Sequence, residues 1–169
     1  WFDPKAERQR RVCARLEVLA RSRDGHGTGR NWGLLVRFRD FDGIEKQWNI
    51  PMRLFATDGG TEVVRGLLDR GLDIDSHREA KRKVLDYLQG VEAKERVALA
   101  YKMGWHRGAF VLPDRTLGDT AEPVLYYSES EPLCKLAERG TLEGWQKNVA
   151  RYCVDNPLAL FAVSAAFSS

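Results

Sequence analysis

The residues best suited to metal-dependent chemistry are two aspartates at alternate positions, Asp73 and Asp75, with His77 two residues further on. Paired carboxylates on one face of a strand can hold Mg²⁺, as polymerase and primase sites require. Asp75 also directly precedes Ser76, where an acidic residue favours the start of a helix. Because no second carboxylate cluster is an evident partner, the sequence favours a helix lead-in over a metal site. We expect no metal or other cofactor in this chain.

A second candidate is His106, which stands between Trp105 and Arg107 in the short segment Gly104 to Gly108. A lone histidine in a turn is more often structural than catalytic. No histidine or cysteine pair has the spacing of zinc ligands, and no nucleophile has an evident neighbouring base. The sequence therefore predicts no catalytic residue.

A glycine-rich loop runs from Asp24 to Asn31 with the sequence Asp-Gly-His-Gly-Thr-Gly-Arg-Asn. Phosphate-binding loops of this composition lead into a helix, whose first amides face the phosphates. This loop joins two predicted strands and lacks a following Lys-Ser or Lys-Thr. It is typical of a flexible hairpin, although its basic residues His26 and Arg30 could still contact nucleic acid.

Arginines alternate with apolar residues between Val12 and Ile50. The apolar residues recur at every second position: Val12, Ala14, Leu16, Val18 and Ala20, then Trp32, Leu34, Val36 and Phe38, then Trp48 and Ile50. A period of two predicts three sequential antiparallel strands with one buried face. We expect the opposite face to carry an arginine surface of Arg15, Arg21, Arg23, Arg37 and Arg39.

Two interpretations of this arginine surface stay open. Glu17 and Glu45 could pair with the arginines across strands, which would make it an ordinary solvated face. Alternatively the arginines contact phosphates, and the charge distribution favours this: residues 1–40 hold ten Lys and Arg against five Asp and Glu, although the whole chain is only +3. The candidate nucleic-acid-binding residues are Arg15, Arg21, Arg23, Arg30, Arg37 and Arg39. A second basic cluster, predicted to be an exposed helix face, consists of Arg78, Lys81, Arg82 and Lys83.

The remaining pattern predicts an α+β fold in a single domain, residues 1–169, with possible subregions 1–75 and 76–169. Thr61 is a plausible N-cap and Gly71 a plausible C′ residue for one helix, and Ser76 with Glu79 forms a capping box for the next. Further strands are predicted at 97–103, 109–113 and 124–127, as a second small antiparallel sheet. Two C-terminal helices should follow, the first capped by Thr141 and the second starting at Pro157.

The last predicted helix is apolar nearly all round, which is typical of a helix buried on all sides. Its apolar run, Leu158 to Phe167, is about half the length that a bilayer span needs. We expect it to pack against other parts of a longer protein, of which this chain is a portion. The absence of a signal peptide and the odd, distant cysteines Cys13, Cys134 and Cys153 favour a cytoplasmic location with reduced thiols.

Several strings, taken in order, resemble the family of domains of unknown function numbered 927. They are Leu16-Glu-Val-Leu-Ala-Arg-Ser-Arg-Asp24, Asn31-Trp-Gly-Leu-Leu-Val36 with Arg37-Phe-Arg-Asp40, Trp48 with Pro51, Gly104-Trp-His-x-Gly-x-Phe-Val-Leu-Pro-Asp114, Gly140-Thr-Leu-Glu-x-Trp145, and Ser164-Ala-Ala-Phe167. The resemblance covers nearly the whole chain, and the string from Gly104 to Asp114 is the most specific.

The resemblance implies a role in the replication of mobile DNA. Members of the family look like primase-helicases or replication helicases of phages, plasmids and integrative elements, in which such a region precedes a P-loop ATPase domain. This chain contains no Gly-Lys-Ser or Gly-Lys-Thr, so ATP hydrolysis is expected of its parent protein and not of the chain itself.

Three functional hypotheses follow from the residues and the resemblance together. The first is a non-catalytic N-terminal module that contacts DNA, single-stranded or forked, through the arginine surface. The second is an assembly scaffold for the downstream ATPase domain with no DNA contact, in a protein that forms a homo-oligomer and has no membrane partner. The third is primer synthesis at Asp73 and Asp75.

Overall fold

The computed structural model describes residues 2–3, 8–9, 11–25, 29–128 and 139–167. Within them the strands are β1 (Phe2–Asp3), β2 (Arg8–Gln9), β3 (Leu16–Asp24), β4 (Gly33–Arg39), β5 (Glu45–Pro51), β6 (Arg96–Ala100), β7 (Gly104–His106), β8 (Ala109–Val111), β9 (Thr116–Leu117) and β10 (Val124–Tyr126). The helices are α1 (Arg53–Ala56), α2 (Thr61–Asp69), α3 (Arg78–Gly90), α4 (Leu142–Asn148) and α5 (Pro157–Phe167), with 3-10 turns at Asp58–Gly60 and Ala150–Cys153. The predicted α+β class is confirmed.

The main sheet has five strands in the order β10-β6-β3-β4-β5. The predicted antiparallel meander is present as β3, β4 and β5, but β6 and β10 extend it on the other side of β3 in parallel register. The expectation that β6 and β10 belong to a second sheet is therefore wrong. The physical reason lies in β6, whose run Val97-Ala-Leu-Ala100 is buried throughout and so requires a central position covered on both faces.

The second sheet is antiparallel, as predicted, and consists of β7, β8 and β9. The turn between β7 and β8 needs two residues with positive φ, Arg107 at 50° and Gly108 at 90°. This small sheet packs on the main one through a buried cluster that includes Ala98 of β6, Val111 of β8 and Val124 of β10.

Helices α2 and α3 cover one face of the meander, which we call the helix face. Val63, Val64 and Leu67 of α2 and Val84 and Leu88 of α3 meet a floor formed by the buried strand residues Leu16, Leu34, Val36, Phe38, Trp48 and Ile50. The period-two prediction is confirmed for these strand residues. They are buried because each amphipathic helix packs its apolar stripe against them.

A β-bulge in β3 reverses the alternation of its side chains. Val18 is in register with Val36, but Ala20 is in register with Leu35, so Leu19 is an extra residue on β3. Beyond the bulge Arg21 stands opposite Leu34, on the helix face, whereas Ala20 turns to the other side of the sheet. A single inserted residue thus exchanges the two faces of the strand.

The face opposite the helices is also partly apolar. Ala20, Leu35, Val97 and Leu99 form a buried cluster there, so the expectation of one buried and one solvated face is wrong for β3 and β4. Both strands are central, because β3 lies between β6 and β4, and β4 lies between β3 and β5. Central strands can be covered on both sides.

The helix ends confirm some of the predicted caps and correct others. Gly71 adopts a φ of 86° directly after α2, and the hydroxyl of Thr141 accepts a hydrogen bond from the Gly144 amide at the start of α4. The residue before α2 is Gly60 in the left-handed conformation, so Thr61 is not its N-cap. The Ser76 capping box is also absent, since α3 begins after His77 with no side-chain cap.

The C-terminal helix α5 is present as predicted, but three of its large apolar side chains are exposed. Leu158, Leu160 and Phe161 keep 82%, 55% and 74% of their surface in contact with solvent. Among the described helices, none is long and apolar enough to cross a membrane.

Candidate nucleic-acid interface

Three of the predicted arginines, Arg15, Arg37 and Arg39, line one shallow cleft together with Glu17 and Glu45. Glu17 is in register with Arg37, and Arg39 with Glu45, so these side chains share one face of the sheet. They alternate with the buried residues of the helix face, so the cleft lies on the opposite face. Glu17 pairs with Arg15 and, at 2.7 Å, with Arg37, whose guanidinium also lies 3.9 Å from Glu45. Three cations and two carboxylates therefore leave a small net charge at this cleft.

Glu17 is the electrostatic centre of this group. The hydrogen bonds from Arg37 and then from Arg15 lower the pKa of the Glu17 carboxyl below its usual range, so it stays ionised. The same carboxylate raises the pKa of Arg37. Arg15 remains 85% exposed in spite of its pair, and exposed pairs of this kind bind their partner weakly.

Arg21 and Arg23 follow the bulge and lie on the helix face of the sheet, apart from the other arginines. The guanidinium of Arg23 holds the carboxylate of Glu122 through contacts of 2.7 to 2.9 Å and lies 5.9 Å from the ring centre of Trp32. The expectation that Arg21 and Arg23 share a face with Arg15, Arg37 and Arg39 is wrong, and the bulge at Leu19 is the cause.

Arg30 and Arg39 are exposed, and neither forms a side-chain ion pair with another residue in the described part of the chain. Arg30 belongs to the hairpin between β3 and β4, at the other end of β4 from Arg39. His26, the other basic residue of the predicted loop, lies outside the described residues. The six candidate arginines are thus distributed over two faces and one edge of the sheet.

The aspartates proposed for metal binding have protein partners. Asp73 forms an ion pair with Arg11 at 2.7 Å, and a carboxylate oxygen of Asp75 accepts the His77 amide at 2.9 Å. A β-bridge between Cys13 and Ile74 holds this segment against the lead-in to β3. Within the described residues no group of three or more His, Cys, Asp or Glu side chains could hold a metal ion.

His106 makes a contact that the sequence did not predict. Its Nε2 lies 3.1 Å from the carbonyl oxygen of Gly25, directly after β3, while the Gly25 amide donates to the carbonyl of Leu99 in β6. An added Cβ at Gly25 would lie 2.6 Å from His106 Nε2, so only glycine allows this approach. The histidine therefore joins the small sheet to the end of the main sheet.

The second basic cluster lies on α3. Lys81 and Arg82 are exposed, with Arg82 3.9 Å from Asp86 one turn later, and Lys83 is half-buried. Of the cysteines, Cys13 and Cys153 are free thiols and Cys134 lies outside the described residues. Burial raises the pKa of the Cys13 thiol, which makes it a poor nucleophile.

These features define a mixed α+β domain whose basic residues are dispersed and partly neutralised. The family model described as Domain of unknown function (DUF927) matches residues 3–169, so the chain belongs to this family. No curated protein matches the chain.

Proposed function

We propose that this domain is a non-catalytic module of a mobile-element DNA replication helicase or primase-helicase, and that it acts as an assembly scaffold for an ATPase domain of the same protein. The observation that carries this proposal is the exposed apolar surface of α5. The resemblance to such helicases supports the choice of partner, because in them a region like this one precedes a P-loop ATPase domain.

The cost of leaving α5 exposed supports a docking role. Burying a leucine or phenylalanine side chain stabilises a structure by roughly 1.5–3 kcal/mol relative to leaving it in water. Leu158 and Phe161 forgo most of this stabilisation, being 82% and 74% exposed. The helix has no charged residue on any face. Large apolar side chains exposed together on one helix are typical of an interaction site.

The test uses a longer protein that includes the ATPase domain. Replacing Phe161 by Asp should reduce the mass of the assembly measured by light scattering, because a carboxylate cannot be buried in the proposed contact. Phe41→Asp is the matched control, since Phe41 is 73% exposed and lies in the turn between β4 and β5. Equal masses for the two variants and the unaltered protein would contradict the scaffold role.

Contact with DNA through the cleft of Arg15, Arg37 and Arg39 is the second candidate function. The excess of ten Lys and Arg over five Asp and Glu in residues 1–40 favours it, as does the exposure of Arg39. If Arg15 and Arg39 each neutralise one phosphate of a single strand, replacing both by Ala should reduce the log–log salt slope of binding by about 1.4. Fluorescence anisotropy with a labelled oligonucleotide measures this slope, and an unchanged slope would exclude the cleft.

A further inference from the structure

A cavity lies between the two outer strands of the main sheet, β5 and β10. Although these strands stand at opposite ends of the strand order, Gln47 and Asn49 of β5 line the same cavity as Leu125 and Tyr126 of β10. The sheet therefore curls until its two edges approach each other, as in a barrel that is not closed. We call this space the edge cavity, and its volume is about 220 Å³.

The floor of the edge cavity is apolar. It includes Leu35 of β4 and Leu99 of β6, which are 7% and 1% exposed, and Leu125 and Tyr127 pack against the same buried cluster. An apolar cavity of roughly 150 Å³ is enough to hold a benzene ring. The edge cavity can therefore hold one such ring together with a small polar group.

The charged lining of the edge cavity is entirely basic among the described residues. Lys46 of β5 and Arg70, directly after α2, line it, and no Asp or Glu side chain is among its described lining residues. This distinguishes the edge cavity from the arginine cleft, where two carboxylates lie among three arginines. The edge cavity is thus the better site for an anion that must be drawn out of water.

Arg70 is held in place without a carboxylate partner. Its guanidinium stacks on Trp48 at 4.4 Å, and its Nη1 donates to the carbonyl oxygen of Gly66 at 3.1 Å. The side chain is half-buried, and it forms no ion pair within the part of the chain that the structure describes. Asp40 and Asp69 line an adjoining hollow, but neither is ion-paired with Arg70. The planar fork of an arginine fixed in this way matches the oxygen atoms of a carboxylate or phosphate.

We propose that the edge cavity binds a small aromatic anion, which carries one carboxylate or phosphate group. The ring lies on the floor of Leu35 and Leu99, and the anionic group is held by Arg70 and Lys46. Small-molecule sites have this composition, a mainly apolar concave surface with a few polar or charged groups that fix the orientation of the ligand. The proposal depends neither on the scaffold role of α5 nor on DNA contact at the arginine cleft, since no residue of either lines the edge cavity.

The test is a heteronuclear NMR titration of the ¹⁵N-labelled chain with three probes: phenyl phosphate, benzoate, and benzyl alcohol as a neutral molecule of similar size. At least one of the two anions should bind roughly tenfold more tightly than benzyl alcohol, because a charged hydrogen bond to Arg70 is added. Tight binding of phenyl phosphate identifies a phosphate ligand, and tight binding of benzoate identifies a carboxylate ligand. The amide signals of Gln47 and Leu99 should shift in either case.

Two variants separate the role of the charge from that of the cavity. Arg70→Gln should weaken anion binding roughly tenfold and leave benzyl alcohol binding unchanged. The matched control is Arg65→Gln, because Arg65 is on the same helix, is 69% exposed and lies outside the cavity. Gln47→Trp should weaken binding of all three probes, since Gln47 is exposed on β5 and a larger side chain there fills the cavity.

Three results would overturn the proposal. The first is failure of the unaltered chain to bind either anion, and the second is equal affinity for benzyl alcohol and the anions. The third is unchanged anion binding by the Arg70→Gln or Gln47→Trp variant, once circular dichroism has shown that the variant is folded. None of these results bears on the assembly mass measured for α5, so failure of one proposal is distinguishable from failure of the other.

Discussion

Arg23 and Glu122, ninety-nine residues apart, form a bidentate ion pair across β6. The register places Arg23 beside Ala98 of β6, and Ala98 beside Val124 at the start of β10. Because Ala98 carries only a methyl group, the arginine can reach over it to the carboxylate. The pair thus connects β3 to the segment that leads into the edge strand β10.

We expect Glu122→Gln to lower the free energy of unfolding by about 1–3 kcal/mol, because it leaves the half-buried Arg23 without its charged partner. The two side chains are 29% and 19% exposed. Urea denaturation measures the change. Glu62→Gln is the control: its pair with Arg65 is 69% and 35% exposed, and such surface pairs contribute roughly 0–1 kcal/mol. Equal effects of the two substitutions would show that the Arg23 pair has no special role.

Gly66 shows how closely α2 lies on the sheet. A Cβ at this position would come within 2.4 Å of the Trp48 ring, which also stacks under the guanidinium of Arg70 at 4.4 Å. Gly66→Ala should therefore destabilise the domain by about 1–3 kcal/mol, although alanine is the better helix former by about 1 kcal/mol. Thermal unfolding measures this. Gly90→Ala in α3 is the control, because an added Cβ there has no atom within 4 Å and the substitution should be neutral or stabilising. A Gly66→Ala variant as stable as the unaltered chain would contradict the close packing.

Glu17 predicts a dependence of stability on pH. Its pKa is lowered in the folded state by Arg37 and Arg15, so folding favours the ionised form. The stabilisation is present above the unfolded pKa, near 4.5, and is lost as the pH falls through the folded value. Glu17→Gln should therefore lose less stability than the unaltered chain on acidification from about pH 6 to pH 3.

Urea titrations at several pH values measure this difference between the two proteins. Glu92→Gln is the control, since Glu92 is exposed and has no ion pair with another described residue. Added salt should reduce the effect because the Glu17 group is near the surface. If the free energy of unfolding changes equally with pH in the Glu17 variant and the unaltered chain, the arginines do not stabilise the ionised form.

The meander and its helices could be predicted from the sequence because each rests on a local signal. Val36 and Phe38 alternate with arginines, and the turn at Asp42-Gly43 separates β4 from β5. The apolar positions of α2 and α3 recur at helical spacing. These local patterns predict each strand or helix without knowledge of the element against which it packs.

The partners of β3 could not be predicted in the same way, since strand order depends on contacts distant in sequence. Signals were nevertheless present. Val18, Leu19 and Ala20 are consecutive apolar residues in an alternating strand, which is typical of a bulge or of burial on both faces. The run Leu34-Leu-Val36 and the run Val97-Ala-Leu-Ala100 are likewise typical of central strands.

The bulge in β3 also explains why the predicted arginine surface is dispersed over two faces of the sheet. With strict alternation Arg21 and Arg23 would join Arg15, but the bulge sends them to the other face. The parallel pairing of β6 with β3 and the contact of His106 with Gly25 have no local pattern in the sequence either, so neither could be predicted from it.

Ser22 and Asn49 offer a test of the packing between β3 and β5. Both side chains are buried, at 0% and 5% exposure, and the Ser22 hydroxyl donates to the side-chain amide oxygen Oδ1 of Asn49. Gly33 of β4 lies between them and leaves room for this bond, since a Cβ there would be 2.7 Å from both oxygens. Asn49→Ala should lower stability by about 1–3 kcal/mol, because it leaves the buried Ser22 hydroxyl without its acceptor. Removing both side chains should cost less than the sum of the single changes in a double-mutant cycle measured by urea denaturation, whereas strictly additive effects would mean that the two groups do not stabilise each other.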